Sequence, residues 1–380
     1  MITHFTMGTW PNEIEANLSK AGIQTPTPIQ KTAIPAALEG KNILLRSQTG
    51  SGKTLAYTLP LLASIDSEKL TTQALIIAPS QELAVQIEQV IKETIANTGI
   101  TCQTFIGGAN INRQIEKLKK KKPHIAVGTP GRVLELVKTK KIKLADVGFY
   151  VIDEVDRLVL EDKSWSEVEE LGKRIGYSAQ FMFASATAPD KLETKLASFV
   201  KDIVRIEADG SVVPAQVEHV FVMIEARDRI DMVRRLIHAE GIKKGIVFVN
   251  QLDKLTEAVE KLRYRKIDAV GLSSESSKQE RELAIQAMKS NEASILVATD
   301  VAARGLDLAD VTHIIQLETP NEAASYLHRA GRTGRMNQSG KVISLFERRE
   351  LYKKEKYENH LSISIEPVEL AKGRLISKQY

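Results

Sequence analysis

Asn42-Ile43-Leu44-Leu45 is followed, one residue on, by Ser47-Gln48-Thr49-Gly50-Ser51-Gly52-Lys53-Thr54, and a helical pattern begins at Thr54. Strand, glycine-rich turn and helix in that order make a phosphate-binding loop. The glycines let the backbone turn tightly enough for its N–H groups to face phosphate oxygens, and the helix adds its positive N-terminal end. Lys53 is then placed to reach the β and γ phosphates, and the Thr54 hydroxyl to coordinate Mg²⁺. Ser47 takes the place of the first glycine in the general G-x-x-x-x-G-K-T pattern. A plain Gly-Ser turn beside a surface lysine is the competing reading, and it leaves the flanking strand and helix unexplained.

Short apolar runs recur on both sides of this loop, each followed by a longer stretch with helical spacing. The first half has Asn42–Leu45, Ala74–Ala78, Ile125–Gly128, Phe149–Ile152 and Gln180–Ala184. The second has Gly245–Val249, Ala269–Leu272, Ser294–Ala298, His313–Leu317 and Val342–Phe346. Runs that are apolar throughout predict parallel strands buried on both faces, and their alternation with helices predicts a doubly wound α/β fold. Ten such strands exceed one compact core of ordinary size. The pattern pauses at the polar, turn-prone stretch Glu207–Pro214. The expected organisation is an N-terminal α/β domain over 1–207, a linker over 208–216 and a second α/β domain over 217–347. A short basic extension over 348–380 follows, with eight basic residues against five acidic ones.

The 380 residues are 43% hydrophobic and 27% charged, which excludes a disordered or collagen-like chain. No apolar run approaches the roughly 20 residues that cross a bilayer. Met1–Trp10 lacks the basic-then-apolar pattern of a secretion signal. The single cysteine, Cys102, rules out an intrachain disulfide and suits a reducing cytoplasm. A net charge of +5 permits nucleic acid as a partner without requiring it. Aromatics, at 5%, are too few for a binder built on base stacking, so contacts to any nucleic acid fall chiefly on its backbone.

Phe149-Tyr150-Val151-Ile152-Asp153-Glu154 is an apolar strand ending in two carboxylates, which puts them at the mouth of the crevice outside the strand ends. Asp153 suits Mg²⁺ held mostly through water, and Glu154 suits taking a proton from an attacking water. Alone, the pair reads equally well as a capped strand end; beside the Lys53 loop, hydrolysis is the better reading. His328-Arg329-Ala330-Gly331-Arg332-Thr333-Gly334-Arg335 spaces three arginines three residues apart. Guanidinium groups match phosphate geometry and offset the charge that builds on a γ-phosphoryl group during transfer. A solvated or nucleic-acid-facing basic patch is the alternative. Arginines of one domain serving a site in the other would make hydrolysis depend on domain closure.

Together these blocks resemble a DEAD-box ATP-dependent RNA helicase of superfamily 2, from Phe5 to about Phe346. The resemblance implies two RecA-like doubly wound parallel-sheet domains, ATP and Mg²⁺ as cofactors, and RNA as partner. Gly22–Gln30 looks like the adenine-reading Q motif, with Ile23 where an aromatic is usual. It implies that Gln30 hydrogen-bonds the adenine edge and that Phe5 stacks on the base. Ser47–Thr54 corresponds to motif I, with Ser47 where alanine is usual, so Ser47, Gln48, Thr49, Gly50, Ser51, Gly52, Lys53 and Thr54 fall to the nucleotide. Asp153-Glu154-Val155-Asp156 stands at the name motif with a larger third residue. Ser185-Ala186-Thr187 stands at motif III, which implies that Ser185 and Thr187, with His328, couple hydrolysis to unwinding.

Pro79-Ser80-Gln81-Glu82-Leu83-Ala84, with Gln81 in place of the family's arginine, resembles the first RNA block. Gly107-Gly108 and Thr129-Pro130-Gly131-Arg132 resemble the others of that domain. Val247–Asn250 and Arg281 match motif IV and its following helix, with Ser273-Ser274 in place of the family's His-Gly. Thr299–Asp307 matches motif V, which implies Thr299 and Arg304 at the RNA and Gly305 and Asp307 at the nucleotide. His328–Arg335 matches motif VI, with Arg332 and Arg335 as arginine fingers. Lys117, Lys119, Lys120, Lys121 and Lys122 lie outside these motifs and read as a solvated helix end that adds nonspecific attraction.

The expected cycle closes the two domains on ATP and single-stranded RNA, held by phosphate and 2′-hydroxyl contacts. The bound strand is bent, a short duplex opens locally, and hydrolysis releases the RNA. An ATP-gated clamp or annealing chaperone with little unwinding carries the same motifs. A superfamily 2 DNA helicase and a small-molecule P-loop kinase fit fewer of them. The expectation is completed by a compact bacterial monomer with no appended RNA-binding domain and no membrane partner. Ribosomal precursors and messenger ribonucleoproteins stand equally as its targets.

Overall fold

The structure is a computed structural model that describes residues 10–378 apart from 48, 49, 177, 188, 189, 208–215, 274, 304–307, 309 and 335–337. Contacts divide the chain into two compact units, Met1–Gly210 and Ser211–Tyr380. Most of the expected linker lies outside the described residues. Among the described residues no helix is long and apolar enough to cross a membrane.

The first unit holds strands β1 (Asn42–Arg46), β2 (Ala74–Ile77), β3 (Cys102–Phe105), β4 (Ile125–Gly128), β5 (Phe149–Ile152), β6 (Gln180–Ser185) and β7 (Ile203–Glu207). They form one parallel sheet in the order β3-β4-β2-β5-β6-β1-β7. Successive residues of each strand enter opposite apolar layers. Ile43, Leu45, Ile76, Val151 and Met182 pack on one face. Leu44, Leu75, Ile77, Ile152 and Phe183 pack on the other. Burial on both faces explains why these strands read as unbroken apolar runs. The order also places the C-terminal ends of β5, β6 and β1 side by side, with Arg46 opposite Ser185 in register. Asp153, Ser185 and Ser47 therefore leave the sheet along one edge, where ligands of open α/β sheets bind.

The second unit holds β8 (Val217–Met223), β9 (Gly245–Val249), β10 (Ala269–Leu272), β11 (Ile295–Thr299), β12 (His313–Gln316), β13 (Gly340–Phe346), β14 (Glu366–Ala371) and β15 (Arg374–Ser377). The order is β10-β11-β9-β12-β13-β8-β14-β15, parallel throughout except for the antiparallel hairpin β14–β15. All of the expected runs are strands. The unanticipated ones are β3, β7, β8 and the hairpin. β3 carries Gln103 and Thr104, and β8 opens Val217-Glu218-His219, so polar residues break each run.

The tail read as a basic extension is part of the second unit's core. After β13 the chain forms a helix over Leu351–Leu361 and then adds β14 beside β8. Tyr357 of that helix is fully buried, its ring centroid 4.5 Å from that of Tyr326, and its hydroxyl donates to the Pro320 carbonyl.

Candidate nucleotide and RNA site

The turn after β1 is shaped by Gly50 and Gly52, with φ of 84° and 94°, in the left-handed region that favours glycine. A Cβ on Gly52 would also strike the Gln30 amide. Gln30 sits in the first turn of the helix Pro28–Leu38. Its Oε1 accepts from Thr27 N at 2.9 Å and its Nε2 donates to Gly52 O at 3.0 Å. The glutamine expected to read adenine is thus fastened to the phosphate loop, and its amide keeps a second N–H and a second lone pair. The Ser47 and Ser51 hydroxyls pair at 2.6 Å across the loop, an interaction that an alanine at 47 would lack. Lys53 opens the helix Lys53–Ala63 and donates to the Ser47 carbonyl. Enclosure lowers its pKa, while Asp153, Asp156 and Glu154 pull the other way.

Asp153 ends β5 and is 5% exposed. Its Oδ1 accepts from Glu154 N at 2.8 Å and its Oδ2 from the Tyr57 hydroxyl at 2.9 Å. Tyr57 lies one helical turn beyond Lys53, fully buried, and its hydroxyl also meets the Thr54 side chain. The two residues expected to hold Mg²⁺ therefore flank one buried phenol. Burial pushes Asp153 up to about 6, against the pull of Lys53. Glu154 adopts φ 45°, ψ 47°, a left-handed conformation that costs a non-glycine residue roughly 1–3 kcal/mol and is typical of functional turns. One of its carboxylate oxygens, Oε2, is buried without a hydrogen-bond partner. Val155, the departure from the smaller family residue, is fully buried in the apolar layer under β5.

Motif III is wired to both neighbours. Asp156 Oδ2 accepts from Thr187 N at 2.9 Å and from the Thr187 hydroxyl at 2.6 Å. Thr187 N also reaches Ser185 Oγ at 3.2 Å, and Ser185 O accepts from Ser47 N at 3.2 Å.

The blocks expected to face RNA in the first unit gather around the Gly107-Gly108 turn. Gly108 has φ 67°, and exposed Gln81 lies against the pair, so the glutamine fills the space beside the turn without adding charge. Pro79 precedes Ser80, whose hydroxyl caps the helix Gln81–Thr94 through Leu83 N. Thr129 N donates to Phe105 O at 3.1 Å, and Pro130 opens the helix Pro130–Lys138. From its third residue, Arg132 reaches back to Ala109 O at 3.1 Å. Gly131 lies close beside the Glu167 carboxylate, where a Cβ would stand 3.3 Å from Oε1 and need a small shift of that side chain.

In the second unit the motif VI arginines separate. Arg329 is 2% exposed and donates to Asp300, Asn250 Oδ1 and Glu318 O, with its guanidinium 5.0 Å from the centre of the Phe248 ring. It is a buried tie between motifs IV, V and VI. Arg332, beyond the helix Ala323–Ala330, is also buried and donates from Nε to His328 O at 3.2 Å. His328 is buried, and Thr299 ends β11 with its hydroxyl buried and unpartnered. Arg281 donates to Ala302 O at 2.9 Å, and Ser273 N is held by Ser276 Oγ at 3.0 Å. Lys353 of the tail helix is buried and donates to Thr319 O, which also accepts from Asn250 Nδ2. Phe5, Gln48, Thr49, Arg304, Gly305, Asp307 and Arg335 lie outside the described residues. Tyr57, Arg329 as a structural tie, and Lys353 were not singled out from sequence.

Residues 27–194 match the family described as DEAD/DEAH box helicase, and residues 228–337 match the helicase conserved C-terminal domain. The chain is 41% identical over 357 residues to the DEAD-box ATP-dependent RNA helicase CshC of Bacillus cereus, spanning 94% of this chain and 91% of that protein. It is 38% identical over 377 residues to the probable ATP-dependent RNA helicase YfmL of Bacillus subtilis, spanning 97% and 99%. Its fold is similar to that of S. cerevisiae Dbp5 bound to RNA and ADP BeF3, with a TM-score of 0.87 at 26% identity over 97% of this chain and 96% of that one.

Proposed function

The chain belongs to the DEAD-box family of ATP-dependent RNA helicases, and from that membership we propose that ATP hydrolysis on the Lys53 loop, stimulated by RNA, drives local opening of short RNA duplexes. The observation that carries the reading is the unpartnered, buried Glu154 Oε2 beside Asp153, on the sheet edge that also presents Lys53. A buried acceptor in want of a donor is what a water-activating base needs. Lys53 and the loop N–H groups bind the β and γ phosphates, and Gln30 orients the base, with Phe5 stacking on it.

Mg²⁺ fits the donor set. Asp153 Oδ2 and the Thr54 side chain both meet the Tyr57 hydroxyl, so the two lie close enough to hold an ion together with water and phosphates. When bound it neutralises charge on the transferring group. Glu154 takes the proton of the attacking water, and the Asp156–Thr187–Ser185–Ser47 chain carries the state of the loop to motif III.

RNA lies over Pro79, Gly107, Gly108, Thr129, Pro130, Gly131 and Arg132 of the first unit and Thr299 and Arg304 of the second. Phosphate and 2′-hydroxyl contacts make binding largely independent of sequence. Arg332, Arg335, Gly305 and Asp307 join the nucleotide when ATP and RNA are both bound, and His328 links that step to the RNA. The working form is a cytoplasmic monomer acting on ribosomal or messenger ribonucleoprotein.

The test is ATP turnover and displacement of a short duplex, with and without RNA. Glu154→Gln is expected to lower RNA-stimulated turnover by about 10²-fold or more while nucleotide and RNA still bind. Full turnover in that variant sinks the assignment. Stimulated turnover without strand displacement is the result an ATP-gated clamp would give.

A further inference from the structure

We propose that the exposed face of the helix Ile111–Lys120 is a second RNA-phosphate site, continuing the strand path beyond Gly107-Gly108. The inference rests on the RNA reading above and concerns residues outside every helicase motif.

The helix starts close to the glycine pair and is fixed to it. Asn110 caps it, accepting from Asn112 N at 2.9 Å. Gln114 and Leu118 are its buried residues, and Gln114 Nε2 donates to Ile106 O at 3.0 Å, just before the glycines. Arg132 grips Ala109 O from the other side at 3.1 Å. The opposite face carries Arg113, Lys117 and Lys120, spaced four and three residues apart, so they form one stripe along the helix. At 1.5 Å per residue the stripe is about 10 Å long. Lys121 and Lys122 extend it past the helix end, Lys119 lies to one side, and Glu116 is the single carboxylate among them.

All six cations are exposed, and no ion pair to any of them is present among the described residues. Lys69, Lys92 and Lys138 elsewhere in this unit pair with Asp146, Glu88 and Glu170 respectively. A row of like charges repels itself, and a polyanion relieves that repulsion. One strand of a nucleic acid carries a charge about every 3.4 Å, so a 10 Å stripe meets roughly three phosphates. Lysine ammonium groups bind such phosphates as point charges without reading bases.

The test compares the wild-type protein with Arg113→Gln/Lys117→Gln/Lys120→Gln and with Lys117→Arg/Lys120→Arg. The readout is fluorescence anisotropy across a salt series, on a short single-stranded RNA that fills only the motif site and on one long enough to run past it. On the long RNA the triple variant is expected to bind several-fold more weakly, with a salt slope smaller by about 2, from roughly 0.7 per phosphate contact. The arginine variant is expected to keep the wild-type slope, and the short RNA to bind all three proteins alike. Unchanged slope on the long RNA, or a loss of equal size on the short one, overturns the proposal. Wild-type protein that binds neither RNA would overturn the helicase reading itself, a failure seen before any variant is compared.

Discussion

Tyr57→Phe removes a single oxygen from the nucleotide site. That oxygen lies 2.9 Å from Asp153 Oδ2, inside a residue that is fully buried. A hydrogen bond to an ionised carboxylate contributes about 1.5–3 kcal/mol, and one to a neutral carboxyl about half as much. Asp153 titrates at about 6, above its ordinary value because burial disfavours the charge. Its protonated form therefore favours the folded state, and that contribution is lost as pH rises through 6. At about pH 8 the carboxylate is charged and depends on its donors. Losing roughly 1.4 kcal/mol from the charged form alone moves its titration up by about one unit. The variant should thus be less stable than the wild type by about 2 kcal/mol near pH 8 and by about 1 kcal/mol near pH 4.5. Urea unfolding followed by tryptophan fluorescence isolates the effect, because both tryptophans, Trp10 and Trp165, lie in the first unit. The Mg²⁺ needed for half-maximal hydrolysis should rise several-fold near pH 6.5 and little near pH 8.5. Equal unfolding midpoints near pH 8, or a difference that ignores pH, would refute the reasoning.

Thr187→Val keeps the shape of motif III but removes the 2.6 Å bond to Asp156. Strand displacement should fall by more than RNA-stimulated turnover does; equal losses would show that this bond is not a coupling element. Lys353→Met removes one of two donors from Glu350, which keeps Arg229, and from the Thr319 carbonyl, which keeps Asn250 Nδ2, and should destabilise the second unit by about 1–2 kcal/mol, read by hydrogen exchange over 217–377. A change below about 0.5 kcal/mol would make Lys353 an ordinary surface lysine. Ending the chain after Glu347 strips Tyr357 from Tyr326 and Phe346, so limited proteolysis should digest the second unit and spare the first. A protease-resistant second unit in that truncation would count against the tail as part of the core.

What could be read from the sequence depended on whether the relevant signal was local. The ten apolar runs were legible because each strand interior is buried on both faces, and so were the Lys53 turn and the Asp153-Glu154 strand end. β3 and β8 were not, since polar residues interrupt them and only pairing in the sheet makes them strands. The tail misled for a related reason. Its apolar residues are sparse, and Tyr357 matters because it meets Pro320, 37 residues away. Tyr57 looks like one more apolar position on a buried helix until Asp153, 96 residues on, is seen against its hydroxyl. The even spacing of the motif VI arginines says nothing of burial, whereas in the fold Arg329 is held by acceptors from three other segments.

That buried tie has its counterpart in the first unit. In the first, Gln30 holds Gly52, Lys53 holds Ser47, Ser47 holds Ser185, and Thr187 holds Asp156. In the second, Arg329 ties Asn250 and Asp300 to its own helix, and Lys353 supports the Thr319 carbonyl that Asn250 also uses. The Ser47–Ser185 and Thr187–Asp156 bonds join loops that leave neighbouring strands, and the others tie a helix to such a loop or brace the Lys53 loop itself. A buried donor deprived of its acceptor costs about 1–3 kcal/mol, which makes partial rearrangement expensive. The chain therefore has few intermediate arrangements within a unit. On the function proposed above, loss of a γ-phosphate at Lys53 would reach Thr187 through these bonds.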